Sequence, residues 1–380
     1  MGHTIMSEWN DCYKVGDKEY HGFFTAIDST IDQEGNQTGW VEYQADNDLF
    51  GLLQSAKRPS SIKNTTQREL MVKGLSRARQ RHKKLRLLFS GGTDSWSILK
   101  LCMENKIYID EVLCHLHSFE ESPAHMQNRT NIEFLPGLKY ANKFKGSLIG
   151  EIHTPMHSIE KLSQFVNDDD IRKHAPGPFL PLRSAMYFKH LQQLDYTDTG
   201  TITGLEKPEL IVEKDKIYWV VMDSPTGEWM GMKNHIPMYL DKHNPELTVH
   251  MAYAMLEALP KNILQGEYRH INWHTLDKDI SKKMLDSWGL STPRNWLNNH
   301  TMKSKTHAIA PKTTYFLKEA HRLGVNNLIE DYMSQMKHIY DRYRHLPYTV
   351  SWEDNWVSSV GRFSQRIQIE QDSFGKTQVN

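Results

Sequence analysis

The sequence predicts an α/β fold in which a parallel β-sheet is covered by helices on both faces. Short apolar runs of strand length recur along the chain, and helical patterns separate them. The first of these runs, LRLLF (85–89), stops abruptly at a Ser-Gly-Gly turn, and a helical pattern begins directly after that turn. Strands that alternate with helices in this way form parallel sheets, because each return to the sheet needs a crossover connection.

Residues 1–65 precede this alternation and predict a small separate β element. Alternating polar and apolar residues occur at 20–27 and at 40–43, and the turn-forming QEGNQTG (33–39) lies between them. We therefore expect an N-terminal β-meander or hairpin. A helical pattern at 66–82 then leads into the first strand of the sheet.

The alternation continues through three further strands and the helices between them. Strands are expected at 109–119, 148–155 and 200–205, and helices at about 128–144, 157–166 and 183–194. A charged turn from Glu213 to Lys216 predicts a hairpin over 210–223. Mostly helical patterns follow, so we divide the chain into 1–65, a sheet domain at 66–225 and a helical region at 226–380.

Composition limits the classes of partner and compartment. The 380 residues include 46 basic and 46 acidic side chains, so the overall charge does not favour a nucleic-acid or membrane partner. Cys12, Cys102 and Cys114 show no CxxC spacing, which disfavours a zinc site and fits a reducing compartment. No stretch has the pattern of a signal peptide or a membrane span, so we expect a cytoplasmic protein.

The turn after the first strand has the composition of an anion-binding loop. Gly91 and Gly92 allow backbone N–H groups to face one anion, and the following helix adds the positive end of its dipole. Ser90 and Ser95 supply hydroxyl donors. Asp94 would repel a phosphate directly, so it suggests a carboxylate that holds Mg²⁺ against the phosphates. The alternative is a glycine turn that merely connects strand and helix.

The segment LRLLFSGGTDSWSILKL (85–101) resembles the SGGxDS PP-loop of the N-type ATP pyrophosphatases. That family includes the synthetase domain of asparagine synthetase and 7-cyano-7-deazaguanine synthase. The resemblance covers roughly residues 66–210 and implies an adenine nucleotide alpha-hydrolase-like (HUP-type) fold. It also implies that ATP with Mg²⁺ is cleaved between its α- and β-phosphates, which adenylates a substrate and releases pyrophosphate. The whole loop, Ser90, Gly91, Gly92, Thr93, Asp94 and Ser95, would then bind the nucleotide.

Two later segments extend the resemblance. PFLPLRSAMYFKHL (178–191) is similar to a family helix start, which would place Arg183 near the nucleotide and Ser184 at the helix cap. An arginine can pair bidentately with the leaving pyrophosphate, although an exposed arginine is the alternative.

TITGLEKPEL (201–210) corresponds to a turn that carries a metal-binding carboxylate in asparagine synthetases. Here Gly204 would approach the nucleotide and Glu206 would be the second metal ligand. Lys207 would stabilise the leaving phosphates. A Glu–Lys pair on a solvated turn is the alternative.

Histidines near the end of the second predicted strand border the expected adenosine site. Ligands of such sheets lie at the carboxyl ends of the strands, where His115, His117 and Ser118 are found. We assign His117 and Ser118 to nucleotide binding and expect His115 on the same face. Packing against neighbouring elements is the alternative for these side chains.

The resemblance leaves the acceptor open. A cysteine pair for sulphur transfer and an N-terminal glutaminase cysteine are both missing, and Cys102 and Cys114 are expected to be buried packing residues. The expected activity is therefore an AMP-forming ligase that adenylates a carboxylate or carbonyl oxygen, which ammonia or an amine then attacks. Substrate choice would lie in the C-terminal region, where Trp229, His235 and Tyr239 are candidate contacts. Residues 229–256 also resemble, loosely, a stretch in phage-encoded PP-loop proteins.

Two alternatives remain open. The basic segment KGLSRARQRHKKLR (73–86) could contact nucleic acid, so the acceptor could be a nucleobase of tRNA or DNA instead of a small molecule. The chain could also bind ATP without turning it over. No membrane partner is expected, and a homo-oligomer is left open.

Overall fold

The computed structural model describes residues 12–20, 23–34, 36–45, 49, 51, 65–131, 134–167, 182–204, 207–221, 234–259, 267–271, 309–343, 350–353, 356–359 and 366–369. Near the N-terminus, β1 (Cys12–Val15), β2 (Lys18–Tyr20) and β3 (Glu42–Gln44) form an antiparallel sheet in the order β2–β1–β3. The β1–β2 pair is a hairpin, one of the two expected forms, whereas the central position of β1 differs from the strand order of a meander.

One part of that N-terminal prediction is wrong. Residues 20–27 are not a strand, because α1 (Phe23–Asp28) begins within them. Phe23, Ala26 and Ile27 stand at helical spacing, and Ala26 and Ile27 are fully buried. The two-residue alternation over such a short segment therefore misled the prediction.

The main sheet begins after a capped helix. In α2 (Gln67–Arg81), Thr66 and Glu69 form a reciprocal capping box that fixes where the helix starts. The chain continues through β4 (Lys84–Leu88), α3 (Thr93–Glu104) and β5 (Ile109–Leu113). Next come α4 (Ala124–Thr130), α5 (Leu135–Asn142), β6 (Ile149–His153), α6 (Ile159–Val166), α7 (Leu182–Gln192) and β7 (Thr199–Thr203).

The C-terminal half of the described chain mixes strands with helices. It contains β8 (Glu209–Glu213), β9 (Lys216–Val220), β10 (His235–Pro237), α8 (Pro245–Ala258), β11 (Tyr268–Ile271), α9 (Ile309–Arg322), α10 (Asn326–Tyr343), β12 (Val350–Glu353), β13 (Trp356–Ser359) and β14 (Ile367–Ile369). The expected hairpin is β8–β9, and it lies in an antiparallel sheet of order β11–β8–β9–β14. The region is thus less purely helical than its sequence pattern predicts.

Five parallel strands form the main sheet, in the order β10–β7–β4–β5–β6. The chain runs outward from β4 to β6, returns to the other side of β4 at β7, and then continues outward to β10. This is the doubly wound α/β arrangement, whose direction reverses between β4 and β7. In such sheets a ligand binds outside the carboxyl ends of the strands at the point of reversal.

Apolar side chains cover both faces of this sheet. Leu85 and Leu87 of β4 join the main core, whereas Leu88 and Leu113 pack with Leu191 of α7 on the opposite face. Alternation along β4 sends neighbouring side chains to opposite faces, so helices lie on both sides as predicted. Within the part of the chain that the structure describes, none of the helices combines the length and apolar character needed to cross a membrane.

Three element boundaries differ from the sequence prediction. The second strand ends at Leu113 instead of 119, and the helix expected over 128–144 is two helices, the second of which has a proline in its first turn. The strand β10 falls in a segment where we expected helical structure. This strand ends in Pro237, which suits the edge of a sheet. Its three residues are too few to show the two-residue alternation that predicts a strand.

Candidate functional site

The Ser-Gly-Gly loop leaves β4 at the point where the sheet reverses. The N–H of Phe89 still donates to the carbonyl of Leu113 over 2.8 Å, so the strand pairing continues to the edge of the loop. Gly91 has a φ of +71°, a conformation that side chains other than glycine rarely adopt. Gly92 precedes the first turn of α3 and carries no side chain that could cap it. The start of this helix is therefore open to an external anion.

The two serines of the loop have different roles. Ser95 is buried, and its hydroxyl accepts from the N–H of Ser90 and donates to the carbonyl of Gly92, each over 3.2 Å. The Ser90 hydroxyl lies 3.2 Å from the Ser95 hydroxyl, and Ser90 itself is exposed. Ser95 thus shapes the loop from within, whereas Ser90 remains accessible to a ligand.

Asp94 joins three separate segments of the chain. The Lys207 Nζ donates to its Oδ2 over 2.7 Å, and the Tyr239 hydroxyl donates to its Oδ1 over 3.0 Å. The Lys207 Nζ also lies 4.9 Å from the centre of the Tyr239 ring. Asp94 lies in the first turn of α3, Lys207 follows β7 and Tyr239 follows β10, so the three side chains meet across the carboxyl edge of neighbouring strands.

Tyr239 is held as a permanent donor. Its side chain is buried, and burial is the main reason that its pKa lies well above the usual value. The negative charge of Asp94 and the hydrogen bond to it raise the pKa further. Tyr239 therefore stays protonated at neutral pH and fixes the orientation of the carboxylate. The sequence predicts Tyr239 as a substrate contact in a helical region. Its position beside Asp94 depends on β10, which the sequence pattern does not predict.

Gly204 lies against the start of α3. A Cβ built on Gly204 would stand 2.7 Å from the Cβ of Asp94 and 3.3 Å from the backbone nitrogen of Ser95. Any side chain here would push the helix start away from the end of β7. Glycine at this position thus allows the Asp94 and Lys207 segments to approach each other.

The side chains of His117 and Ser118 are not exposed at the edge of the sheet as expected. Both residues are buried. The backbone N–H of His117 donates to Oδ1 of Asn131 over 2.7 Å, and the side-chain amide of Asn131 donates to the Ser118 hydroxyl over 2.8 Å. The His117 ring packs edge-on against Phe134 at 4.7 Å. Because β5 ends at Leu113, the two-residue alternation that placed His115 and His117 on one face does not apply.

His235 also has an interior position. It is buried within β10, and its Nε2 lies 2.7 Å from the hydroxyl of Thr203 in the neighbouring strand. Burial lowers its pKa to about 3, so the ring is neutral at physiological pH. A buried neutral imidazole between two strands supports the sheet, and this placement gives no support to a substrate contact.

Several predicted residues fall outside the described part of the structure. Glu206 and Trp229 belong to this group, as do the side chains of Thr93, Arg183 and Ser184. The helix α7 begins at Leu182, so Ser184 lies inside the first turn and is not its cap, contrary to our expectation. Arg183 lies in the first turn of α7, and its place near a nucleotide stays a prediction.

The basic segment at 73–86 is used within the protein. Six of its side chains form ion pairs with carboxylates: Lys73 and Arg77 with Glu246, Arg79 with Asp110, Arg81 with Asp241, Lys83 with Asp198 and Arg86 with Glu111. Arg77 also donates to the carbonyl of His243 over 2.8 Å. These contacts join α2 to the start of α8 and to the sheet, so the cluster has a structural explanation.

The described cysteines are buried, and the described residues hold no preformed cluster of metal ligands. The thiols of Cys102 and Cys114 are buried, as expected, and burial raises the pKa of Cys102 to about 12. No group of three or more His, Cys, Asp or Glu side chains among the described residues is arranged to hold a metal ion.

No protein-family model matches the chain, and no curated protein matches it either.

Proposed function

We propose that the chain binds ATP with its β- and γ-phosphates at Ser90–Ser95 and uses it to adenylate a carboxylate or carbonyl oxygen. The observation that carries this proposal is the position of the loop. A glycine-rich turn with a positive φ precedes an uncapped helix start at the reversal point of a doubly wound sheet. Backbone N–H groups and the helix dipole favour an anion at this point, and side chains from two further strands converge there.

Asp94 and Lys207 have complementary roles in this proposal. Asp94 is partly exposed, and Mg²⁺ commonly binds through one or two carboxylates together with substrate phosphates. The donor set therefore fits Mg²⁺ with Asp94 as its protein ligand, and Glu206 remains a prediction. When bound, Mg²⁺ would supply charge stabilisation to the phosphates. Lys207, which neutralises Asp94 in the free protein, would turn toward the leaving pyrophosphate.

The chemistry proposed is that of an AMP-forming ligase with a HUP-type fold. Attack of the substrate oxygen on the α-phosphorus breaks the bond to the β-phosphate oxygen, and pyrophosphate leaves. Ammonia or an amine then displaces AMP. The protein supplies mainly position and charge, which suits a site built from backbone N–H groups, one lysine and one fixed carboxylate. Arg183 stays a predicted partner of the pyrophosphate.

The nucleic-acid alternative has less support. Its sequence basis was the basic segment at 73–86, and six of those cations face carboxylates of the same chain. A phosphate backbone would have to compete with these ion pairs. We therefore favour a small-molecule acceptor.

The products of ATP turnover test the proposal. ATP labelled with ³²P at the α-phosphate, and in parallel at the γ-phosphate, is incubated with Mg²⁺, the full chain and a mixture of carboxylates and amines, and the labelled products are separated by chromatography. We expect AMP or an adenylate together with pyrophosphate, and a loss on the order of 100-fold in Asp94→Asn, because the carboxylate charge is removed. Asp331→Asn, on the exposed face of α10, is the matched control. ADP and phosphate as products, or equal rates in the two variants, would overturn the proposal.

A further inference from the structure

A second feature lies on the same edge of the sheet, beyond β5 and β6. A cavity of about 200 Å³ opens there between the carboxyl ends of these strands and the helices α6 and α7. Its lining comprises His115, Met156, His157, Lys161, Gln164, Phe165, Met186, Lys189, His190 and Gln193. This volume is smaller than the roughly 300–1,000 Å³ of pockets that take drug-sized ligands, so it suits a small metabolite.

One wall of the cavity is a cluster of aromatic rings. The ring of His115 lies 4.7 Å from that of His157, 5.1 Å from Tyr187 and 5.6 Å from His190. Behind them, Phe316 of α9 packs edge-on against His157 at 5.0 Å. Elements from both halves of the chain therefore hold this wall in place.

Two lysines contribute positive charge to the described lining of the cavity. Lys161 comes from α6 and Lys189 from α7, and none of the described lining residues is acidic. Lys161 reaches Glu120 over 2.9 Å, and the Lys189 Nζ lies 5.6 Å from the centre of the Phe165 ring. Apolar surface from Met156, Phe165 and Met186 completes the lining. Two cations beside apolar and imidazole groups make a site for a small anion with a short carbon skeleton.

The cavity and the proposed nucleotide site lie on the same edge of the sheet. His115 follows β5, and β5 is the direct neighbour of β4, from which the Ser-Gly-Gly loop leaves. Both features are therefore at the carboxyl edge, on adjacent strands. A substrate held in the cavity would be next to a nucleotide whose pyrophosphate occupies the loop.

We propose that this cavity binds the acceptor substrate and that the acceptor is a small molecule with a carboxylate group. The ammonium group of Lys189 pairs with the carboxylate, and the imidazoles of His115 and His190 donate to its oxygens. Lys161, which also pairs with Glu120, adds positive charge on the α6 side. Met156, Phe165 and Met186 contact the carbon skeleton. This assignment rests on the proposed adenylation, for which it names the substrate class.

The titration of His190 gives the site a pH dependence. Burial is the main cause that lowers the pKa of His190, and the positive charges of Lys161 and Arg86 lower it further. Lys189, His115 and His157 also face it from α7 and from the ends of β5 and β6. A bound carboxylate would raise this pKa, so binding takes up a proton and strengthens as the pH falls.

Saturation-transfer NMR with glutarate and its uncharged analogue glutaramide tests the assignment on the full chain without ATP. We expect glutarate to bind and glutaramide not to bind. Lys189→Met should weaken glutarate binding by roughly tenfold or more, since it removes a charge-assisted contact. Lys139→Met, at an exposed position of α5, should leave the binding unchanged. Lys161→Met removes the second cation independently, and far-UV circular dichroism checks the fold of each variant.

The outcomes separate this inference from the proposed function. MgATP binding that depends on Gly91, without any glutarate binding, would overturn the carboxylate assignment alone. Glutarate binding without MgATP binding would overturn the adenylation proposal and leave the cavity a carboxylate site. Equal binding of the two analogues, equal effects of the Lys189 and Lys139 variants, or displacement of glutarate by AMP would each contradict the assignment. Displacement would show that the cavity holds the nucleotide instead.

Discussion

At the scale of single residues, the proposed nucleotide site depends on the carboxylate of Asp94 and its two donors. The sequence identified Asp94 and Lys207 because both belong to recognisable segments next to strand ends. It could not identify Tyr239 as their partner. That contact spans 145 residues of sequence and depends on β10, a strand too short to read from a pattern.

Replacement of Tyr239 by phenylalanine tests how the carboxylate is held. Tyr239→Phe keeps the ring beneath Lys207 but removes the hydrogen bond to Asp94. We expect a loss of about 1–2 kcal/mol in the free energy of unfolding, measured in urea, because a donor to a charged group is removed. MgATP binding should weaken less than in Asp94→Asn. Tyr108→Phe, at an exposed tyrosine, is the control, and equal stability of the two variants would contradict the assigned role.

At the scale of elements, the close approach of β7 to α3 positions the site. The sequence predicted both elements and the glycine between them, because a strand-turn-helix order with clear helical spacing is a strong local signal. It placed the end of β5 incorrectly. Residues 114–119 continue to pair with 153–157 outside a regular strand, and the alternating histidines imitated a longer one.

Substitution of Gly204 tests that approach. In Gly204→Ala the new methyl would stand 2.7 Å from the Cβ of Asp94, so the start of α3 must shift. We expect a destabilisation of about 1–3 kcal/mol in urea unfolding, typical of overpacking, together with weaker MgATP binding. Gly51→Ala, where no atom lies within 4 Å of the added Cβ, is the matched control. Unchanged stability in Gly204→Ala would show that the two segments are not in close contact.

At the scale of the whole molecule, the doubly wound topology brings the loop, Lys207 and Tyr239 together. The alternation of strands and helices predicts a parallel sheet, but the strand order is set by tertiary packing and cannot be read from periodicity. The ion pairs of α2 are likewise set by tertiary packing and cannot be read from periodicity. Only the docking of α8 on α2 reveals that Glu246 faces Lys73 and Arg77.

Buried histidines should make the stability of the fold sensitive to mild acid. The pKa of His235 is about 3 in the folded protein, and the pKa of His190 is also lowered. An unfolded chain would protonate these rings near pH 6.5, so it binds more protons and folding weakens as the pH falls. The contribution of the neutral His235 ring to the free energy of unfolding is complete above about pH 6.5. It is lost progressively toward pH 3, by about 1.4 kcal/mol per pH unit.

Urea unfolding between pH 6.5 and 5 measures this effect before carboxylates titrate strongly. His235→Asn should flatten the dependence of the unfolding free energy on pH in this range. The variant His243→Asn, at an exposed position, should show the same dependence of the unfolding free energy on pH as the wild type. The same slope in both variants would mean that His235 is not the buried neutral base described here.

The most direct test of the nucleotide-binding claim is a calorimetric titration with MgATP in two glycine variants. Gly91 and Gly146 both have positive φ angles, +71° and +80°, so valine strains the backbone at either position. Only Gly91 belongs to the proposed phosphate loop. We predict that MgATP binds the wild type, that pyrophosphate displaces it, and that Gly91→Val weakens binding at least about tenfold, since the loop N–H groups are redirected. Gly146→Val should bind as the wild type does. Absence of MgATP binding to the wild type, or equal affinities in the two variants, would contradict a pyrophosphate site at this loop.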